Sequence, residues 1–106
     1  MAKCLVTGHR GYIGGKLFSK LIELGHEVIG IDLQDEVPYD VAKVLAEDSD
    51  GGFHPHYVSF EPEYVFHLAC WPRIGECLNN PVGTMRNNVL AGSVLLNFAN
   101  KVESVK

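Results

Sequence analysis

The sequence predicts an α/β fold: a minimal Rossmann-like parallel sheet of about four strands, in the order 3-2-1-4, with flanking helices. Three observations carry this expectation. Lys3 to Thr7 is a continuous apolar run of strand length bounded by Gly8, the pattern of a strand buried on both faces. Gly8, Gly11 and Gly14 follow at regular spacing, and from Tyr12 the apolar period becomes helical. Glu27 to Ile31, rich in β-branched residues, then reads as a second strand that ends at Asp32. Strand, helix and strand within roughly thirty residues form a βαβ unit, whose crossover is right-handed almost without exception.

The elements follow in order. From Tyr12 to Leu24, the residues Ile13, Leu17, Leu21 and Leu24 make one apolar stripe, widened by Phe18 and Ile22. Gly25 is suited to the left-handed position that ends such a helix. Tyr39 to Glu47 reads as a short helix after Pro38, with Val41, Val44 and Leu45 on one side, and 48–55 as a loop rich in Asp and Gly. His56 to Phe60 reads as a short strand of thin apolar content. Tyr64 to Ala69 is a stronger one, buried and parallel, through Val65, Phe66, Leu68 and Ala69. Pro72, Gly75 and Pro81 punctuate a loop, and a long helix is expected from about Val82 to Val102. No internal repeat or low-complexity segment interrupts this plan.

Composition narrows the function. The chain has 106 residues, 46% hydrophobic and 21% charged, as in an ordinary single globular domain. Its net charge of −4, with nine scattered Lys and Arg, argues against nucleic acid as a partner. Val89 to Ala99 is the longest apolar-rich run and is too short to span a bilayer, so no membrane partner is expected. Nothing at Met1 resembles a signal peptide. Three cysteines, Cys4, Cys70 and Cys77, form no C-x-x-C pair, and a cytoplasmic location is expected. His54 and His56, with Cys70 or Cys77, raise the possibility of a metal site. Their spacing lacks the usual four-ligand pattern, a polar surface loop accounts for them better, and no metal is expected.

The segment Thr7-Gly8-His9-Arg10-Gly11-Tyr12-Ile13-Gly14 lies between a strand and a helix, where it can cradle a dinucleotide pyrophosphate. Backbone N–H groups at the helix start point toward the anion, and the helix dipole adds about 0.3–1 kcal/mol. Gly8 permits the tight turn, Gly11 a close approach of the ligand, and Gly14 close packing of helix on strand. Asp32 is placed to accept hydrogen bonds from the adenosine ribose, and its charge repels a 2′-phosphate, so NAD is favoured over NADP. Arg10 partly offsets that repulsion, although a phosphate contact or a solvated side chain is its simpler role.

These residues resemble a known family. TGHRGYIGG resembles the TGxxGxxG motif of extended short-chain dehydrogenases/reductases, the NAD-dependent nucleotide-sugar epimerases and dehydratases. Phe66-His67-Leu68-Ala69-Cys70 is similar to the HLAA strand end of that family. Asn79-Asn80-Pro81 followed by Asn88-Val89-Leu90-Ala91-Gly92-Ser93 is similar to its nP…NvxGt segment. The resemblance covers essentially the whole chain. It implies cofactor-binding positions at Gly8, His9, Arg10, Gly11, Tyr12, Ile13 and Gly14, and at Asp32 and Leu33. It further implies cofactor-lining positions at Leu68, Ala69, Cys70 and Asn88. The family's catalytic Tyr-x-x-x-Lys pair belongs to a segment that the residues up to Lys106 do not contain. Two stretches share the spacing: Tyr12 with Lys16 in the glycine loop, and Tyr39 with Lys43 on the adenosine side, where a surface pair is the better explanation. No catalytic residue is therefore assigned.

Three functions follow as expectations. The leading one is an NAD(H)-binding module without turnover of its own. The second is an epimerase or oxidoreductase completed by another subunit or chain. The third is an interaction protein with a vestigial nucleotide pocket. A homodimer, or a tetramer of dimers, is expected because the outer edge of the Tyr64 to Ala69 strand and the long helix leave apolar surface uncovered.

Overall fold

The computed structural model describes residues 1–32, 45–47, 52–69 and 74–106. Among these, three strands form one parallel sheet: β1 (Lys3–Thr7), β2 (Glu27–Ile31) and β3 (Tyr64–His67), in the order β2-β1-β3. Leu5 lies beside Ile29 on one flank and Val65 on the other, so the most apolar strand takes the centre. Alternation along β1 then assigns its side chains to two faces. Leu5 joins the main core with Ile31, Leu45, Tyr57, Ala91, Leu95 and Phe98. Cys4 and Val6 are buried on the opposite side, where α1 (Tyr12–Glu23) packs across β1 and β2. Burial raises the Cys4 thiol pKa, with the Glu63 charge adding to it, which keeps this thiol protonated and inert.

The first βαβ unit follows its expected plan. The end of α1 is satisfied by His26 N–H to Leu21 O (3.1 Å) and Gly25 N–H to Ile22 O (2.9 Å). This is a Schellman closure, and Gly25 takes its left-handed position at φ +89°. The apolar stripe is narrower than expected, however. Leu17, Phe18 and Leu21 are partly buried, while Ile13, Ile22 and Leu24 are exposed, and among the described residues α1 packs mainly against β1 and β2.

Two later expectations are corrected. His56 to Phe60 is not a strand but part of a helix, α2 (Pro55–Phe60). Pro55 fits the first helical turn, the His54 side chain accepts the His56 N–H, and Tyr57 turns into the core. The fourth strand is therefore absent from the described sheet. The long helix from Val82 is also subdivided. The expected loop before it contains α3 (Ile74–Asn79), and α4 (Pro81–Met85) follows. Asn80 caps α4, its Oδ1 accepting the Gly83 N–H at 3.0 Å, with Pro81 next to it. A wide π-type turn (Arg86–Leu90) then leads into α5 (Ala91–Lys101). The short helix expected over Tyr39 to Glu47 lies mostly outside the described residues.

Charged groups tie the segments together. The Glu47 carboxylate accepts from Lys101 Nζ at 2.8 and 3.0 Å and from Asn97 Nδ2 at 3.0 Å, anchoring residues 45–47 to α5. Those hydrogen bonds, Lys101 first, hold the Glu47 carboxyl below its ordinary pKa. Glu63 bridges both ends of the chain. Its carboxylate meets Lys106 Nζ (3.1 Å) and the Lys3 N–H (3.3 Å), and its carbonyl accepts the Lys106 N–H (2.9 Å).

Phe98 is fully buried and meets Phe53 edge-on at 5.4 Å between ring centroids. Phe98→Ala is expected to cost about 3–5 kcal/mol, whereas Leu24→Ala, exposed where α1 ends, should stay within about 0.5 kcal/mol. Urea unfolding of the two variants measures the contrast, and equal losses would contradict this placement of the core.

Candidate functional site: the glycine turn and the strand ends around it

The three strands point their C-terminal ends at the glycine turn. Gly8 follows β1 with φ +75°, and its N–H donates to the Ile31 carbonyl at 2.8 Å, tying the turn to the end of β2. A Cβ on Gly8 would lie 2.8 Å from both the Ala69 nitrogen and the Leu68 carbonyl carbon. Gly8 is thus required twice, by its left-handed backbone and by the strand end pressed against it. A Cβ on Gly14 would collide with the Gly8 carbonyl oxygen, so α1 reaches this position only with glycine there.

Gly11 is different. Its φ of −76° suits any residue, and an added Cβ would touch only the Gly8 oxygen, at 3.3 Å. It is exposed, and it occupies the N-cap of α1 with no side chain to cap the helix. The N–H groups of Tyr12, Ile13 and Gly14 fall in the first turn, where a helix has no intrahelical acceptors. No acidic residue lies in that turn. Packing explains Gly8 and Gly14, while Gly11 keeps an open approach to a row of donors.

Asp32 is 91% shielded from solvent at the end of β2, and its Oδ2 accepts the Arg10 N–H at 3.0 Å. The sequence placed Asp32 and the loop together, and the structure brings them into direct contact. His9 turns inward. Its ring stacks on Phe18 at 5.1 Å and fills the space that a side chain at position 30 would take, which explains Gly30 in the middle of β2. Tyr12 and Ile13 are exposed at the helix start, with Lys16 Nζ 4.8 Å from the Tyr12 ring centroid. That geometry makes Tyr12 and Lys16 a cation–π pair on the surface. Leu68 and Ala69 flank Gly8, and Asn88 lies in the wide turn before α5. Leu33, Cys70, Tyr39 and Lys43 lie outside the described residues. So does one of the cysteines of the considered metal site, and the described residues hold no group of three or more metal-ligating side chains.

Sequence reasoning missed Thr7 and His67 as members of this site. The Thr7 side chain is fully buried, and its hydroxyl meets three groups: the Leu68 N–H (3.1 Å), the Ala69 N–H (3.2 Å) and His67 Nδ1 (2.6 Å). Burial lowers the His67 pKa, favouring its neutral ring. A threonine at a strand end before glycine was the available signal. Its partners sit about sixty residues away in the chain, beyond the reach of local pattern.

A strand, a glycine turn, a helix start and a shielded carboxylate at the end of the neighbouring strand form the dinucleotide-binding arrangement. The chain matches the family described as NAD dependent epimerase/dehydratase over residues 4–106. It is 32% identical to the UDP-glucose 4-epimerase of Corynebacterium glutamicum, over 89% of this chain and 30% of that protein. Its structure resembles the UDP-glucose 4-epimerase of Thermotoga maritima solved with UDP-glucose, with TM-score 0.77, 27% identity, and coverage of 94% and 34% of the two chains. The Thermus thermophilus UDP-glucose 4-epimerase solved with NAD gives TM-score 0.76 and 25% identity, covering 96% of this chain and 35% of that one. The chain spans about a third of the length of these relatives. Motif, geometry and similarity agree that the chain belongs to the NAD-dependent epimerase/dehydratase family.

Proposed function

We propose that the chain binds NAD(H) at the Gly8–Gly14 turn and does not turn over a substrate by itself. The observation that carries this reading is the exposed start of α1 at Gly11, where a side chain would meet the Gly8 carbonyl oxygen at 3.3 Å and stand beside the helix-start donors. The pyrophosphate would rest on the N–H groups of Tyr12, Ile13 and Gly14, and Asp32 would receive the adenosine ribose hydroxyls. Leu68, Ala69 and Asn88 would border the cofactor, with Leu33 and Cys70 assigned from sequence alone. Bound NAD supplies a hydride acceptor. The residues of this chain supply binding and orientation, and no catalytic residue is assigned among them.

Two unit charges 4 Å apart at an effective dielectric near 20 interact by on the order of 4 kcal/mol. Asp32 therefore disfavours the 2′-phosphate of NADP. Calorimetric titration is expected to give NAD an affinity at least roughly tenfold above NADP, a factor worth about 1.4 kcal/mol. Gly11→Val should abolish binding while circular dichroism stays unchanged. Equal affinities for NAD and NADP would remove the role given to Asp32.

The cation–π contact of Tyr12 with Lys16 occupies one of the two Tyr-x-x-x-Lys stretches. UDP- and GDP-sugars incubated with the protein and NAD are expected to return unchanged. Conversion that disappeared in Tyr39→Phe would instead assign a reaction to Tyr39 and Lys43. The similarity to UDP-glucose 4-epimerases supports a second reading, in which another subunit or chain completes an epimerase or oxidoreductase. Conversion that appears only when such a chain is added would establish it.

Self-association belongs to the same proposal. Among the described residues β3 pairs only with β1, leaving its outer edge without a strand. Leu78 (75% exposed), Val82 (79%) and Leu96 (69%) stand out along the helices from α3 to α5, with Met85 and Val89 between them. A two-fold dimer, or a tetramer of dimers, would cover this surface. Light scattering over a dilution series is expected to report at least twice the 11.7 kDa chain mass. A mass of one chain at every concentration would refute it.

A further inference from the structure

We propose that His67 is a positioning residue that, through the Thr7 hydroxyl, holds the Leu68–Ala69 strand end against Gly8 only while its ring is neutral. The argument is a count of protons. A threonine hydroxyl has one proton and two lone pairs. Its lone pairs accept the Leu68 and Ala69 N–H groups, so its proton goes to His67 Nδ1, 2.6 Å away. Nδ1 is therefore the bare nitrogen, and Nε2 carries the ring proton. The Nε2 side faces α5 at Gly92, where an added Cβ would stand 3.9 Å from it.

Protonation reverses the Nδ1 contact. In the imidazolium both nitrogens donate, and the Thr7 oxygen cannot accept a third hydrogen while holding both amides. Leu68 N–H has a second acceptor, the Thr7 carbonyl at 3.1 Å. Ala69 N–H has the hydroxyl, and it is the group released. Its nitrogen is among the atoms closest to the space above Gly8, so its release loosens the wall of the turn from inside.

Among the described residues, the contacts of the two His67 ring nitrogens are with Thr7 of β1 and at Gly92 of α5, neither of them charged. Burial is the one cause of its lowered pKa among the described residues. The folded state then takes up the proton less readily than the unfolded chain. Stability conferred by the neutral ring is present above about pH 6.5, the ordinary histidine value, and is lost as the pH falls below it.

Nuclear magnetic resonance tests the proposal without any ligand. At about pH 7.5, a pH above the ordinary histidine range, the His67 Nδ1 should show the nitrogen shift of an unprotonated ring atom and Nε2 that of a protonated one. As His67 is titrated with acid, the protection of the Ala69 amide, taken relative to intrinsic exchange at each pH, should fall at least tenfold, and that of Leu68 less. His67→Asn keeps an acceptor near the Nδ1 position without titrating, so its Ala69 amide should stay protected across the same range. Thr7→Ser should behave like the parent, and Thr7→Val should leave Ala69 unprotected at every pH. A proton on Nδ1 in the neutral form, or an Ala69 amide indifferent to His67 titration, would overturn the proposal.

The consequence for cofactor rests on the function proposed above. NAD affinity should fall several-fold as the parent is acidified and stay level in His67→Asn. If NAD binds at no pH while Ala69 still follows His67, the binding proposal falls and this one stands. If NAD binds with no pH dependence and Ala69 is unmoved, this one falls and binding stands.

Discussion

Everything in this structure is arranged around the closeness of four backbone segments at Gly8. The residue itself ends β1, its N–H holds the last carbonyl of β2, the Leu68–Ala69 peptide presses on its Cα, and its carbonyl admits α1 only because position 14 has no side chain. No attraction between side chains could bring four main chains so near. Absent side chains permit it, and hydrogen bonds between polar backbone groups make it favourable. The burial of β1 follows from the same fact, since a strand flanked and covered at this spacing has no face left for water.

That convergence separates two demands that the motif alone merges. Gly8 and Gly14 answer to the chain's own sterics, and Gly30 answers to His9, whose ring lies over it. Gly11 is held less tightly, by a 3.3 Å approach to the Gly8 oxygen alone. A glycine whose internal constraint is this mild, exposed beside the first-turn N–H groups of α1, is where a ligand is most economically inferred. Asp32 adds charge to this geometry at a fixed place, because the Arg10 N–H binds its Oδ2 and orients it toward the turn. The loop and the carboxylate are therefore joined as one unit, which under the proposed function would present donors and acceptor to the cofactor together.

Legibility in the sequence followed the range of the interactions. β1, α1, the Gly25 closure and β2 are determined by neighbours within a few positions, and each was readable. His56 to Phe60 misled because its residues favour neither state strongly, and the decision came from His54 and Pro55 just outside the segment. The helix after Pro81 was readable as helical, but its widening at Arg86–Leu90 was not, since periodicity cannot register one extra residue in a turn. Within the site, the glycines and Asp32 announced themselves by spacing. Thr7 and His67 did not, because a hydroxyl shared among groups sixty positions away leaves no local trace.

The two ends of the sheet are held by different means, and the difference bears on what each end can do. At the N-terminal ends, the Glu63 carboxylate accepts the Lys3 main-chain N–H and forms an ion pair with the largely exposed Lys106 ammonium. Such pairs contribute little and yield easily to salt. At the C-terminal ends the polar contacts are shielded: the Thr7 hydroxyl is sealed beneath the strand end and Asp32 is mostly covered. Unmade hydrogen bonds there cost more than the made ones contribute, so the site resists rearrangement except through a change in proton count. A turn built in this way would be stiff toward the proposed ligand and sensitive to one kind of perturbation, the protonation of the partly buried imidazole bonded to Thr7.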